Sequence, residues 1–193
     1  MTDRDILFKA GTVITMDPAL PNLAVGDVLV RDGRIAAVGA ALPAGDAEVI
    51  DAAGCIVMPG LVDAHHHAWL GVMRRLMPDV DDLFAYIDVV AERLGAHVRP
   101  QDMFTSTMLT AAASLDAGIT TIVDACHSAR SPEHTDAALD ALDASGIRAL
   151  HMVGPAMDKG ASSAHLPGDL ARLATRWNAS GSRVKVGLFG QLK

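Results

Sequence analysis

The chain has 193 residues, of which 50% are hydrophobic, enough apolar material for a core in one or two domains. Its formal net charge is −7, which argues against nucleic acid or an anionic membrane as a main partner, since both select basic patches. Two cysteines make no disulfide framework.

Met1-Thr2-Asp3-Arg4-Asp5 leads into a short strand and lacks the apolar core of a signal peptide. Residues 5–15 and 25–39 read as strands, with Asp32-Gly33 as a hairpin turn between two apolar runs. Residues 47–51 add another short strand. The sequence thus predicts a small all-β domain over residues 1–55. From residue 56 the period changes. Residues 56–65 form an apolar strand, and residues 82–94 carry Leu83, Tyr86, Ile87, Val90 and Leu94 at helical spacing. A second helix spans 101–116, between Pro100 and Gly118. Residues 119–125 are a buried strand. Ser131-Pro132 reads as an N-cap followed by proline at the first helical position, and that helix ends before Gly146. A strand at 147–153, a helix at 168–179 and a strand at 183–189 complete the series. Alternating strands and helices predict a parallel sheet with right-handed crossovers. Cys55 and Cys126 both lie in apolar strand-like runs, so buried thiols in a reducing compartment are expected. No apolar run approaches the roughly 18 residues of a membrane span, and a cytoplasmic location is expected.

His65-His66-His67 follow the first strand of this second region. Strand side chains alternate faces, so His65 and His67 share a face and His66 takes the other. The Cα atoms of such a pair lie about 6.5 Å apart, within reach of one metal ion at about 2.0–2.1 Å from each imidazole. Three adjacent histidines also occur in solvated loops and tags; the internal position argues against a tag.

The segment 54–67, Gly-Cys-Ile-Val-Met-Pro-Gly-Leu-Val-Asp-Ala-His-His-His, resembles the first barrel strand of the amidohydrolase superfamily, and most of all its cytosine deaminase and chlorohydrolase-like branch. Residues 26–39, with Arg31-Asp32-Gly33-Arg34 at the turn, resemble the hairpin of that family's small β-sandwich domain. Arg74 lies seven residues after His67, where many members carry an arginine. Asp116-Ala117-Gly118-Ile119-Thr120-Thr121-Ile122-Val123-Asp124 resembles the second barrel strand and its approach. The resemblance implies an α/β fold: a metal-dependent-hydrolase (β/α)8 TIM barrel, of which residues 56–193 are the first four βα units, preceded by part of a β-sandwich. A complete barrel takes about 250 residues, so half a barrel is expected here.

The resemblance also implies His65 and His67 as ligands of one divalent metal ion, zinc foremost and iron as the alternative. The family's other ligands and proton carriers come from later strands and have no matching positions. Trp69 either forms an apolar wall of the substrate pocket or packs against its loop. Arg74 either positions a polar substrate group or braces the loop. His127 either contacts substrate or metal-bound water, or caps a loop start. Asp124 is expected to anchor a neighbouring loop, Asp63 to make core-facing structural hydrogen bonds, and His66 to face the helical layer. His97, His134, His151 and His165 read as structural or solvated. Lys185 lies where some branches hold a carboxylated bridging lysine, although the pattern resembles the mononuclear branch. The loops after the third and fourth strands, near Gly154–Asp158 and at Gly190-Gln191, are expected at the same mouth. No Gly-x-Ser-x-Gly elbow, phosphate-cradling loop or Cys-x-x-Cys pair is present.

The resulting expectation is a hydrolase of carbon–nitrogen bonds other than peptide bonds. It would deaminate a nitrogen heterocycle or amidine-like small molecule through a metal-bound hydroxide. The alternatives are a dechlorinating or amide-hydrolysing member of the same family, or a non-catalytic fragment that needs a second half. By itself the chain is expected to be inactive, and to form a homo-oligomer or associate with the missing half.

Overall fold

The computed structural model describes residues 4–76, 81–158, 160–179 and 181–190. The chain divides into two units, Met1–Pro59 and Gly60–Lys193.

The first unit is a five-stranded sheet built from β1 (Ile6–Val13), β2 (Leu23–Arg31), β3 (Arg34–Gly39), β4 (Glu48–Asp51) and β5 (Ile56–Val57). The order is β3-β2-β1-β4, with β5 also paired to β1. Asp32 and Gly33 both take left-handed backbone angles, φ 48° and 68°, as a two-residue hairpin turn between right-twisted strands requires. A bulge in β1 at Ala10 (φ 63°) frees its amide. That amide donates to Asp27 Oδ1 at 2.8 Å, and the Leu42 amide donates to Oδ2 at 2.8 Å. Two backbone donors thereby satisfy a buried carboxylate.

The expected continuous strand 56–65 is divided. Ile56–Val57 pairs with Thr12–Val13 in the first sheet, and a new strand, β6 (Leu61–His66), begins the second unit. Pro59 has no N–H to offer a ladder. Gly60 is needed for the close approach to the next strand: a Cβ there would lie 2.3 Å from the Thr120 side chain. The thiol expectation is half corrected. Cys126 is buried, but Cys55 lies in the turn before β5 and is exposed.

The second unit continues with a 3₁₀ segment (Ala68–Met73) and α1 (Leu83–Tyr86), which runs on as a wide π-type helix (Ile87–Leu94). Then follow α2 (Pro100–Asp116), β7 (Ile119–Ala129), α3 (Pro132–Ser145), β8 (Arg148–Pro155), α4 (Leu166–Trp177) and β9 (Val184–Leu188). The four strands pair in parallel in the order β6-β7-β8-β9. Parallel neighbours need a crossover, and helices supply it at each step. The main core packs Ile122, Ala149, Val153 and Val184 of the strands against Leu139 and Leu142 of α3 and Leu173 and Trp177 of α4. A second cluster gathers Trp69, Met73, Val90, Met103 and Cys126.

At the start of α2 the Arg99 amide donates to Asp102 Oδ2 at 2.9 Å, and the Arg99 guanidinium pairs with the same carboxylate. These bonds hold the Asp102 pKa down at about 2. Ser131 stands at the cap position of α3, but its hydroxyl donates to Glu133 (2.5 Å) and meets His134 Nδ1 (2.9 Å) instead of a backbone amide. The two side chains compete successfully for it, which corrects the expected capping bond. Among the described residues no helix is long and apolar enough to cross a membrane.

Candidate metal and substrate site

The carboxyl ends of β6 and β7 bring the site together. His65 Nε2 and His67 Nε2 stand 3.2 Å apart. Two nitrogens bound tetrahedrally to one ion at about 2.0–2.1 Å would be about 3.3–3.4 Å apart. The pair therefore fits a single metal ion. His67 sits one residue beyond β6, and its Nδ1 donates to the Ala125 carbonyl at 2.5 Å. That bond puts the proton on Nδ1 and leaves the Nε2 lone pair for a ligand bond.

His66 turns away from this pair. Its Nδ1 meets Asp63 Oδ2 at 2.8 Å, while Asp63 Oδ1 accepts from the His65 amide at 3.1 Å. Partial burial works against the Asp63 charge, but these bonds outweigh it and hold its pKa below the usual carboxylate value. His66 lines a cavity of about 470 Å³ with Leu109, Thr110 and Ser114 of α2. Arg74 and His67 line the same cavity, and Arg74 does not reach the smaller cleft lined by both His65 and His67.

The loop after His67 is fastened from two sides. Asp124 Oδ1 accepts from the Ala68 amide at 2.8 Å, and its Oδ2 meets His151 Nδ1 at 2.7 Å. Asp124 and His151 are direct partners in the β7–β8 register and are almost wholly buried. Burial opposes both charges, but the mutual bond prevails: Asp124 is held below its usual pKa and His151 is raised to about 10. From α2, Ser106 Oγ donates to the Trp69 carbonyl at 2.7 Å and accepts from the Val72 amide at 3.0 Å. Gly71 is the point of closest approach: a Cβ there would lie 2.6 Å from the Ser106 carbonyl oxygen.

Trp69 is 1% exposed. His127, on β7, sets its ring 4.6 Å from His67, 5.2 Å from Trp69 and 6.3 Å from Phe189. Burial, and then the neighbouring His67, push the His127 pKa down to about 4, so its imidazole is neutral at pH 7. His127 Nδ1 and Trp69 Nε1 are both buried and, among the described residues, have no hydrogen-bond partner. His65, His67, Trp69 and His127 line one cleft of about 270 Å³, together with Tyr86, Val90, Met157 and Phe189.

Of the sequence candidates, His65, His67, Trp69 and His127 line this cleft, and Arg74 shares the neighbouring cavity with His66 and His67. Lys185 Nζ donates to the Ala179 carbonyl at 2.5 Å. Gln191 lies outside the described residues. Among the described residues no group of three or more His, Cys, Asp or Glu side chains could hold a metal ion. Three features were missed from sequence. The His151 pairing depends on strand register, which sequence spacing does not encode. The Arg130–Asp158 ion pair joins the loops after β7 and β8. Phe189 lies just beyond β9, and only its position after an apolar run hints at the mouth, whereas Met157 falls in the Gly154–Asp158 loop that was expected there.

Residues 56–188 match the amidohydrolase family. The 5'-deoxyadenosine deaminase of Methanosarcina mazei is 31% identical over 152 residues, covering 75% of this chain and 32% of that protein. The 5-methylthioadenosine/S-adenosylhomocysteine deaminase of Symbiobacterium thermophilum is 33% identical over 184 residues, covering 93% of this chain and 41% of that protein. In fold, a mutant atrazine chlorohydrolase from Arthrobacter aurescens TC1, solved with zinc and atraton, superposes with a TM-score of 0.80 at 24% identity. That match covers 95% of this chain and 46% of the other. The chain thus spans less than half the length of the proteins it matches. It belongs to the amidohydrolase family.

Proposed function

We propose that the protein is a metal-dependent hydrolase of carbon–nitrogen bonds outside peptides, and that it removes the amino group of a nitrogen heterocycle or amidine-like small molecule. The observation that carries this reading is the His65–His67 pair, with Nε2 atoms 3.2 Å apart and His67 Nδ1 committed to a carbonyl. Similarity to two nucleoside deaminases supports it. In this reading the parallel unit is the first four βα units of a (β/α)8 barrel, and the all-β unit is part of a β-sandwich.

His65 and His67 would hold the ion, zinc foremost and iron second, because neutral imidazole suits both metals. When bound, such an ion supplies a Lewis acid that makes water nucleophilic near neutral pH. The Ala125 carbonyl keeps the His67 ring in its ligating tautomer. The Asp124 bond to the Ala68 amide fixes where the chain leaves that ring. Neutral His127 offers a nitrogen for hydrogen bonding without adding a charge beside the pair. Trp69 and its apolar neighbours limit water around the reacting carbon. Two nitrogens are one short of the three protein ligands of a catalytic zinc, so further donors would come from outside the described residues.

The test is the complete gene product, loaded with zinc, assayed on a panel of amino-substituted purines, pyrimidines and triazines. Release of ammonia, lost in His67→Ala, supports the reading. Chloride release from chlorotriazines alone would move the activity to dechlorination. No release of ammonia, amine or chloride from any member would overturn it.

A further inference from the structure

We infer that His151 is a positioning residue for the metal pair, acting through Asp124 and the Ala68 amide; this rests on the metal-dependent reading above. His67 is held by two consecutive residues of β7. The Ala125 carbonyl accepts from its ring, and the Asp124 carboxylate accepts from the amide of the peptide bond that follows it. That peptide unit turns away from the strand direction: ψ of His67 is 80°, where regular strands have about 115–135°. The Asp124 bond therefore sets the plane in which the chain leaves the ligand.

The two anchors differ in rigidity. The Ala125 carbonyl belongs to the backbone of a paired strand, whereas a carboxylate can turn about two side-chain bonds. His151 removes that freedom. From the directly paired position on β8, its Nδ1 donates to Asp124 Oδ2 at 2.7 Å. His151 is 0% exposed and Asp124 1%, so bulk water does not replace this bond. His151 itself stands behind the sheet. Strand alternation puts Asp124 on the face of Ile122, and His151 on that of Ala149 and Val153, which all join the core with α3 and α4. His127, in the cleft, takes the opposite face of β7. The imidazole is thus placed to steady a ligand's neighbour and not to meet the substrate.

The test is the zinc affinity of the complete gene product, measured by competition with a chelator, together with the visible spectrum of its cobalt-substituted form. His151→Leu should bind zinc about tenfold more weakly, the low end for groups that orient a metal ligand, and should shift the cobalt bands. His151→Asn, whose amide nitrogen can take the place of Nδ1, should regain most of that affinity. Leu173→Ala is the control for lost stability. It empties a fully buried position in α4, and should lower the melting temperature while zinc affinity and cobalt bands stay as in the wild type. Should His151→Leu not fold, Asp124→Asn decides in its place. It keeps an acceptor for the Ala68 amide but loses the charge that binds His151, so weaker zinc binding is again expected. Wild-type affinity and cobalt bands in folded His151→Leu, or in Asp124→Asn where it stands in, would overturn the inference. So would an asparagine variant no better than the leucine one, or an equal loss in Leu173→Ala. The metal reading fails separately, on a wild-type protein that holds no zinc or a His67→Ala variant that holds it equally well.

Discussion

His65, His66 and His67 are chemically identical neighbours, and strand alternation turns the His66 side chain away from the other two. That separation was legible in the sequence, because period two is a property of any strand. The partner of His66 was less so: strand alternation puts Asp63 on the face of His65, yet it reaches His66 across three residues where the β6–β7 register is irregular. Asp124 was legible as a loop anchor, but its second oxygen was not, because His151 lies 27 residues away and meets it only through strand pairing. Replacing His151 by leucine would leave a buried carboxylate short of a partner, and should lower stability by about 3–5 kcal/mol, read by chemical denaturation at pH 7. The pH dependence has a definite sign. His151 is raised from 6.5 to about 10, so its stabilisation is full below about pH 6.5 and is lost as the pH climbs toward 10. Asp124 is lowered from 3.8, so its share is full above that value and is lost on further acidification. Denaturation midpoints between pH 6.5 and 10 should fall in the wild type and fall less in His151→Leu.

Among the elements, those with long periodic runs were legible. The helices at Pro100–Asp116 and Pro132–Ser145 lie within a residue or so of expectation, because a proline near each start and a glycine after each end punctuate a 3.6-residue pattern. The strand at 56–65 failed because an apolar run says nothing about which sheet each half joins. Pro59-Gly60 divides it, and Val57 pairs with Val13 while Leu61 pairs with Ile119. The 3₁₀ segment after His67 was not legible at all, since its shape comes from contacts made by Ser106, Thr110 and Asp124. Gly71→Ala tests that packing. The new methyl group would meet the Ser106 carbonyl and Thr110 Oγ1, and overpacking of this kind costs about 1–3 kcal/mol. A lower melting temperature is the expected outcome. An unchanged melt would mean that the segment is free to shift.

On the scale of the molecule, β6 and β9 are the edges of the parallel sheet, and Leu61, Val62 and Leu188 on them are 52%, 64% and 61% exposed. Unpaired edges beside exposed apolar side chains favour association. Light scattering on the purified 193-residue polypeptide should therefore give a mass above the monomer, and a monodisperse monomer would contradict this. The same polypeptide should hold zinc weakly, with two nitrogens where a catalytic site uses three. The most direct measurement for the protein as a whole is the metal content of the complete gene product after equilibration with limiting zinc, for wild type and the three single histidine variants. One ion per chain is expected in the wild type and in His66→Ala, and at least about tenfold weaker zinc retention in His65→Ala and His67→Ala. Equal loss in all three, or none in any, would contradict the assignment of His65 and His67 as the metal pair.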